Sequence, residues 1–155
     1  MKPSRQIACL LALSFCGALA SQVLRPNPLA WYESWSTRVE REALAAGLKL
    51  LPLSEIQSMV STFTHVFLDA RPEEEYLAGR IPGAMNLPTH AFDEVAPQIL
   101  PILLPDQPVV VYCSGVDCDD SIQLGTLLIQ QGYTNIYMYP GGFTEWEESG
   151  QEVER

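Results

Sequence analysis

Cys113 and Cys118 lie in a short loop between a predicted strand and a predicted helix, where a cysteine can act as a nucleophile. The strand-type run Val109–Tyr112 leads directly into Cys113, and a helical pattern follows from Ser121. Four successive strand-type residues predict a strand that is covered on both faces, as in a parallel sheet. Ligands bind beyond the carboxyl ends of such strands, so we expect the chemistry of this chain in the loop that follows.

Cys113 is the predicted nucleophile because the loop after it can stabilise a thiolate. A loop that curls ahead of a helix N-terminus presents several backbone N–H groups, which favour negative charge and can hold an anion. The alternative is a small buried core cysteine without reactivity. The amides that we expect to bind substrate belong to Ser114, Gly115, Val116, Asp117 and Asp119.

Cys118 permits a second mechanism. It could attack a persulfide or sulfenate on Cys113 and form an intramolecular disulfide, which is the role of a resolving cysteine. The alternative is an ordinary loop thiol. No metal site is predicted, because the loop lacks a nearby histidine and the usual cysteine spacing, and nothing in the sequence requires an organic cofactor.

Three carboxylates share this loop with the cysteines. They raise the pKa of a neighbouring thiol and repel anionic sulfur donors, by about 1 kcal/mol per close pair in water. Two of them have a structural alternative, in which Asp119 and Asp120 cap the helix predicted over residues 121–131. The carboxylates are those of Asp117, Asp119 and Asp120.

The N-terminus has the three-part pattern of an export signal. Lys2 and Arg5 precede the apolar run Ile7–Ala20, which ends in small residues before Ser21. Cleavage after Ala20 and retention as a membrane tether through residues 7–24 both remain open. We therefore expect residues 1–24 to be a signal peptide or membrane anchor, and the protein to be extracytoplasmic, either periplasmic or anchored facing outward.

The net charge argues against one class of partner. Nine basic residues stand against nineteen acidic ones, for a formal charge of −10. No basic surface is left to neutralise phosphates, so nucleic-acid binding is not expected.

After a linker and helix over residues 25–47, the alternation of strands and helices predicts an α/β domain over residues 48–150, followed by a tail over 151–155. Such alternation is typical of a central parallel sheet flanked by helices. A capping box of Ser54 and Gln57 is predicted to begin one helix. Arg71 is expected to pair with Glu74 or Glu75. The predicted strands are 48–53, 66–69, 85–87, 109–112 and 136–139, and the predicted helices are 38–46, 55–61, 71–77, 92–100, 121–131 and 144–148.

Four separated motifs resemble the rhodanese-like family in their order and spacing. The resemblance implies a small α/β domain with a central parallel sheet, and a cysteine that takes up sulfane sulfur as a persulfide and passes it to a nucleophilic acceptor. The chain departs from the family in having no Arg or Lys in the cysteine loop. The motifs are Phe67-Leu68-Asp69-Ala70-Arg71 with Glu75-Tyr76, the run from Gly79 to Pro88, Val109–Cys113, and Gly141-Gly142 with Trp146.

The resemblance and the loop together predict a rhodanese-like sulfurtransferase or persulfide carrier that uses Cys113. Its partners would be a sulfur donor and a thiol acceptor. Two alternatives stay open. One is a non-catalytic binding module with the same fold, and the other is a thiol–disulfide redox protein that uses Cys113 and Cys118.

Overall fold

The computed structural model describes residues 35–155 of the 155-residue chain. The predicted signal or anchor over residues 1–24, and most of the linker after it, lie outside the described residues. Within residues 35–155, no helix has the length and apolar character that a membrane crossing requires.

The described residues form a parallel sheet flanked by helices, which confirms the predicted α/β class. The strand order is β1-β5-β4-β2-β3, and each neighbouring pair is parallel. The strands are β1 (Lys49–Leu50), β2 (Val66–Asp69), β3 (Met85–Asn86), β4 (Val109–Tyr112) and β5 (Ile136–Tyr139). The helices are α1 (Trp35–Ala45), α2 (Leu53–Thr62), α3 (Glu73–Ala78), α4 (Phe92–Ile99), α5 (Asp120–Gln130) and α6 (Gly142–Glu148), with 3₁₀ turns at Thr89–Ala91 and Leu100–Ile102.

The central strand β4 is covered on both faces, as its sequence predicts. All four of its residues are fully buried. Because side chains alternate along a strand, Val109 and Val111 enter one hydrophobic cluster, while Val110 and Tyr112 enter the cluster on the other side of the sheet. Burial on both faces fixes the position of β4, and therefore the point at which the chain leaves the sheet at Cys113.

The first strand is shorter than predicted, and the predicted capping box is wrong. The Leu51 N–H still binds the Met138 carbonyl oxygen at 2.9 Å, but Pro52 has no N–H with which to continue the ladder. Pro52 occupies the N-cap of α2, which begins at Leu53 without a side-chain cap. The helix start predicted from the Ser54 cap is therefore two residues too late.

A buried ion pair marks the carboxyl end of β2. The Arg71 guanidinium donates to both carboxylate oxygens of Asp69, at 3.0 and 2.6 Å, and the two side chains are 4% and 0% exposed. Arg71 also donates to the carbonyl oxygen of Gly79 at 2.8 Å. The predicted partner Glu75 lies 3.8 Å from the guanidinium, so its pairing is confirmed but secondary.

The tail contacts the domain through Arg80. Arg80 and Glu154 form an isolated antiparallel bridge through their backbones and an ion pair through their side chains. The Glu154 carboxylate also accepts a hydrogen bond from the Gly83 N–H at 2.9 Å. Residues of the predicted tail therefore stabilise the turn before β3.

We predict that Arg71→Ala lowers the free energy of unfolding by about 3–5 kcal/mol, because it leaves the Asp69 carboxylate buried without its countercharge. Urea denaturation of the full chain measures this loss.

Arg155→Ala is the matched control, since it removes an exposed ion pair with Glu147. This control is expected to cost less than about 1 kcal/mol. An equal loss in both variants would contradict a structural role for the buried pair.

Candidate active site

The loop that follows β4 is held against the first turn of α6. The Phe143 N–H donates to the Cys113 carbonyl oxygen and the Thr144 N–H donates to that of Ser114, both at 2.8 Å. These bonds use two of the amides that a helix N-terminus leaves without intrahelical partners. The cysteine loop and α6 therefore form one unit at the carboxyl edge of the sheet.

Gly142 makes this close approach possible. Its φ is +61°, and a Cβ at this position would lie 2.5 Å from the Cys113 carbonyl oxygen and 2.7 Å from the Gly115 nitrogen. Only glycine fits such a position without a shift of the backbone. A turn at Gly141-Gly142 was predicted from the sequence, whereas its contact with the cysteine loop was not.

Cys113 is buried at the carboxyl end of β4, with 1% of its surface exposed. Its Sγ lies 3.2 Å from the Cys118 carbonyl oxygen, 3.8 Å from that of Gly115 and 3.4 Å from the Ser121 Oγ. Ser121 is itself fully buried, so its hydroxyl is held against the sulfur. The sequence marked Ser121 as the start of the helix, but its contact with the Cys113 sulfur was not predicted.

The environment lowers the pKa of Cys113 to about 7. The largest cause is hydrogen bonding from the Cys118 thiol, and burial acts in the opposite direction. The Ser121 hydroxyl and the backbone amides of Ser121 and Gly115 add to the stabilisation of the thiolate. Cys113 is therefore the more acidic thiol of the pair, as a nucleophile requires.

The amides named from the sequence do not act equally. Gly115 contributes to the Cys113 thiolate, and the Ser114 amide acts on Cys118 instead. Asp119 lies at the N-cap of α5. Val116 and Asp117 line an open cleft beside the loop. Their role in binding substrate stays a prediction.

Cys118 is half-buried, and its thiol lies 3.5 Å from the Asp120 Oδ2. The other Asp120 oxygen accepts a hydrogen bond from the Thr89 hydroxyl at 3.0 Å. Hydrogen bonding to the Cys113 thiolate and burial raise the pKa of Cys118. Both cysteines are free thiols in this structure.

The alternative in which the Asp119 side chain caps α5 is wrong. Asp119 occupies the N-cap of α5, but no side-chain cap is formed there. Its carboxylate instead accepts hydrogen bonds from Arg38 of α1, at 3.3 and 3.4 Å. Arg38 therefore offsets one of the three loop charges, and the sequence did not reveal this because the two residues are 81 positions apart.

A cleft of about 530 Å³ opens beside the loop, between the loop and α6. It presents three carboxylates and no basic side chain, while Cys118 forms part of its wall and Cys113 does not. We call it the loop cleft; its lining residues are Ser114, Gly115, Val116, Asp117, Cys118, Gly141, Thr144, Glu145 and Glu148.

Within residues 35–155, no group of three or more His, Cys, Asp or Glu side chains is arranged to hold a metal ion. The reactive groups of this site are two adjacent thiols of unequal acidity.

Known proteins share this architecture and sequence pattern. Curated relatives include tRNA uridine(34) hydroxylases of Erwinia tasmaniensis, 28% identical, and of Yersinia pestis, 26% identical; each match covers 66% of this chain and 29% of the relative. The chain therefore spans less than a third of these relatives.

Solved structures with the same fold include two sulfurtransferases. A human single-domain sulfurtransferase is 28% identical with a TM-score of 0.55, over 64% of this chain and 95% of that chain. A thiosulfate sulfurtransferase of Pseudomonas aeruginosa is 26% identical with a TM-score of 0.59, over 78% of this chain and 23% of that chain. The Rhodanese-like domain model matches residues 53–149, which include every strand from β2 to β5 and the cysteine loop. The chain thus belongs to the rhodanese-like domain family.

Proposed function

We propose that this protein is a sulfurtransferase that carries sulfane sulfur as a persulfide on Cys113. The observation that carries the proposal is the lowered pKa of a thiol at the carboxyl edge of the sheet, beside an open cleft. Similarity to the human and Pseudomonas sulfurtransferases supports it.

The reaction has two displacement steps. The Cys113 thiolate attacks the sulfane sulfur of a donor, the donor's own sulfur–sulfur bond breaks, and the donor leaves as a thiolate. An acceptor thiolate then attacks the outer sulfur of the Cys113 persulfide, and Cys113 leaves as a thiolate. The Ser121 hydroxyl and the Gly115 amide stabilise that thiolate before the first step and after the second.

The charges around the site favour a donor without a strong negative charge. The loop cleft contains Asp117, Glu145 and Glu148 and no basic side chain. Each carboxylate repels a thiosulfate dianion, and the repulsion grows where water is partly excluded. An organic persulfide is therefore the preferred donor class.

We do not assign the substrate named for the curated relatives to this chain. Their match covers 29% of each relative, and this chain has a formal charge of −10. An acidic chain gains no counterion release from a polyanion such as tRNA. We propose that the acceptor is a thiol and that no nucleic acid is bound.

We also propose export from the cytoplasm, by a cleaved signal or a retained anchor. The support is the sequence pattern alone, with basic Lys2 and Arg5 before the apolar run Ile7–Ala20.

A thiol–disulfide redox function is the second candidate. The adjacency of two free thiols favours it, since Cys118 lies close enough to Cys113 to change its pKa. The two functions leave different masses on the protein after reaction.

Incubation of the reduced full chain with an organic persulfide is expected to add about 32 Da, one sulfur atom, to the Cys113 peptide. Cys113→Ser should abolish this gain on its own peptide without loss of folding. At low ionic strength thiosulfate should react at least about tenfold more slowly, and added salt should narrow the difference. Peptide mass spectrometry over time measures the sulfur gain and the rate with each donor.

The same masses separate the two functions. Loss of two hydrogens, with Cys113 joined to Cys118 and no sulfur gained, would favour the redox function. Equal rates for the two donors at low salt would contradict the electrostatic argument.

The rate of Cys113 alkylation by iodoacetamide is expected to rise with pH through a midpoint near 7, because only the thiolate reacts. Cys118→Ala removes the largest cause of the lowered pKa, so the midpoint should move upward and the rate at pH 7 should fall. The yield of the alkylated Cys113 peptide reports the rate. Ser58→Ala, at an exposed position on α2, should leave the profile unchanged.

Fractionation of cells that express the full chain is expected to place it outside the cytoplasm. A variant with Leu11→Arg and Leu13→Arg interrupts the apolar run and should stay in the cytoplasm. Cytoplasmic localisation of both chains would contradict export.

A further inference from the structure

The reactive thiol and the accessible thiol are different residues in this structure. Cys113 has the lowered pKa, but it is 1% exposed and is not part of the wall of the loop cleft. Cys118 does line the cleft. A donor or acceptor that enters the loop cleft therefore contacts Cys118, while a sulfur atom on Cys113 is buried.

We propose that Cys118 is a relay thiol, so that sulfane sulfur passes between Cys113 and a donor or acceptor in the loop cleft through a persulfide on Cys118. The relay rests on the proposed function of Cys113 and adds a second carrier to it.

The loop folds the Cys118 segment against the Cys113 sulfur. The Cys113 Sγ lies 3.2 Å from the carbonyl oxygen of Cys118, and the Cys118 N–H donates to the Gly115 carbonyl oxygen at 3.1 Å. A persulfide extends about 2 Å beyond the sulfur that carries it. The Cys118 side chain itself hydrogen bonds to the Cys113 thiolate, so the outer sulfur of a persulfide on one cysteine lies near the other.

Asp120 orients Cys118 for the transfer. Its Oδ2 lies 3.5 Å from the Cys118 sulfur, and its Oδ1 is fixed by the Thr89 hydroxyl at 3.0 Å. Once Cys113 carries a neutral persulfide, it no longer needs the single Cys118 thiol hydrogen, which then points at this carboxylate and leaves the sulfur lone pairs free for attack. Asp120 is thus a positioning residue, whose carboxylate accepts the hydrogen bond of the Cys118 thiol.

The transfer step moves one sulfur atom without net oxidation. Cys118 loses its proton to water in the open cleft and attacks the outer sulfur of the protonated Cys113 persulfide. The bond from that sulfur to the Cys113 Sγ breaks, Cys113 leaves as a thiolate, and Cys118 holds the persulfide. An acceptor thiolate in the cleft attacks its outer sulfur, and Cys118 leaves as a thiolate that takes a proton back from water. Loading from an organic persulfide is the reverse sequence.

The stabilisation of Cys113 favours attack on the outer sulfur over attack on the inner one. Attack on the outer sulfur expels the Cys113 thiolate, which the Ser121 hydroxyl and the Gly115 amide stabilise. Attack on the inner sulfur would expel hydrosulfide and close a Cys113–Cys118 disulfide. A better-stabilised thiolate is the faster leaving group.

The test is a single-turnover experiment on the full chain with an organic persulfide as donor and 2-mercaptoethanol as acceptor. It is run at several pH values between about 6 and 9, so that a change in the Cys113 pKa is distinguished from loss of the relay. Rapid quenching, alkylation and peptide mass spectrometry locate the added sulfur. The wild-type chain should show it on Cys118 as well as on Cys113, and Cys118→Ser should slow both loading and release at Cys113 by at least about tenfold.

A second pair of variants tests the positioning role. Asp120→Asn should slow the exchange between Cys113 and Cys118 severalfold. Asp106→Asn, at an exposed position before β4, should leave it unchanged. Thermal unfolding of each variant checks that the fold is retained.

Three outcomes would overturn the relay. Wild-type rates in Cys118→Ser, with sulfur loaded on Cys113, would overturn the relay alone. A disulfide formed together with one equivalent of hydrosulfide would replace the relay with a resolving role for Cys118. A wild-type chain that takes sulfur on neither cysteine would overturn the proposed function and the relay together.

Discussion

The buried pair of Asp69 and Arg71 is the interaction on which the carboxyl edge of the sheet depends. The Arg71 guanidinium binds Asp69, donates to the Gly79 carbonyl oxygen, and lies 4.3 Å from the centre of the Phe143 ring at the start of α6. Glu75, its secondary partner, accepts a hydrogen bond from the Ser114 hydroxyl at 3.1 Å. One cation therefore joins the end of β2, the turn before β3, the cysteine loop and α6. A buried charge can be kept only when such partners satisfy it, which is why these segments share one arrangement.

Features that depend on neighbouring residues in the chain could be predicted from the sequence, whereas contacts between residues far apart in the chain could not. β2, β4 and β5 were predicted at their observed bounds, because burial on both faces leaves an uninterrupted apolar run in the chain itself. The start of α2 was misplaced because a proline that ends the strand pairing competes with a local capping pattern. The ion pair of Asp119 and Arg38 joins α5 to α1, and no local sequence pattern around either residue predicts it. Cys113 could be found from its place after a buried strand, but Ser121 became its partner only through the fold of the loop.

The site combines a stabilised thiolate inside with an acidic surface outside. Amides and hydroxyls stabilise the Cys113 thiolate at short range, while Asp117, Glu145 and Glu148 act on anything that enters the loop cleft. The two effects do not cancel, since hydrogen bonds act on the sulfur itself and exposed carboxylates are screened by water and salt. One set of groups therefore controls the acidity of the nucleophile, and a different set controls which substrates approach it.

The contact of α6 with the cysteine loop has a consequence for the order in which the protein matures. Cys113 leaves the ribosome before Gly142, Phe143 and Thr144, which hold the carbonyl groups of its loop in place. Until those residues have been synthesised, nothing from α6 fixes the backbone on which the nucleophile lies. Until α6 has folded against the loop, the thiol is therefore open to oxidation or to misdirected disulfide exchange. A protein whose chemistry depends on a free thiol thus has a brief window of vulnerability during its own folding, and a chaperone or a reducing compartment would have its largest effect there.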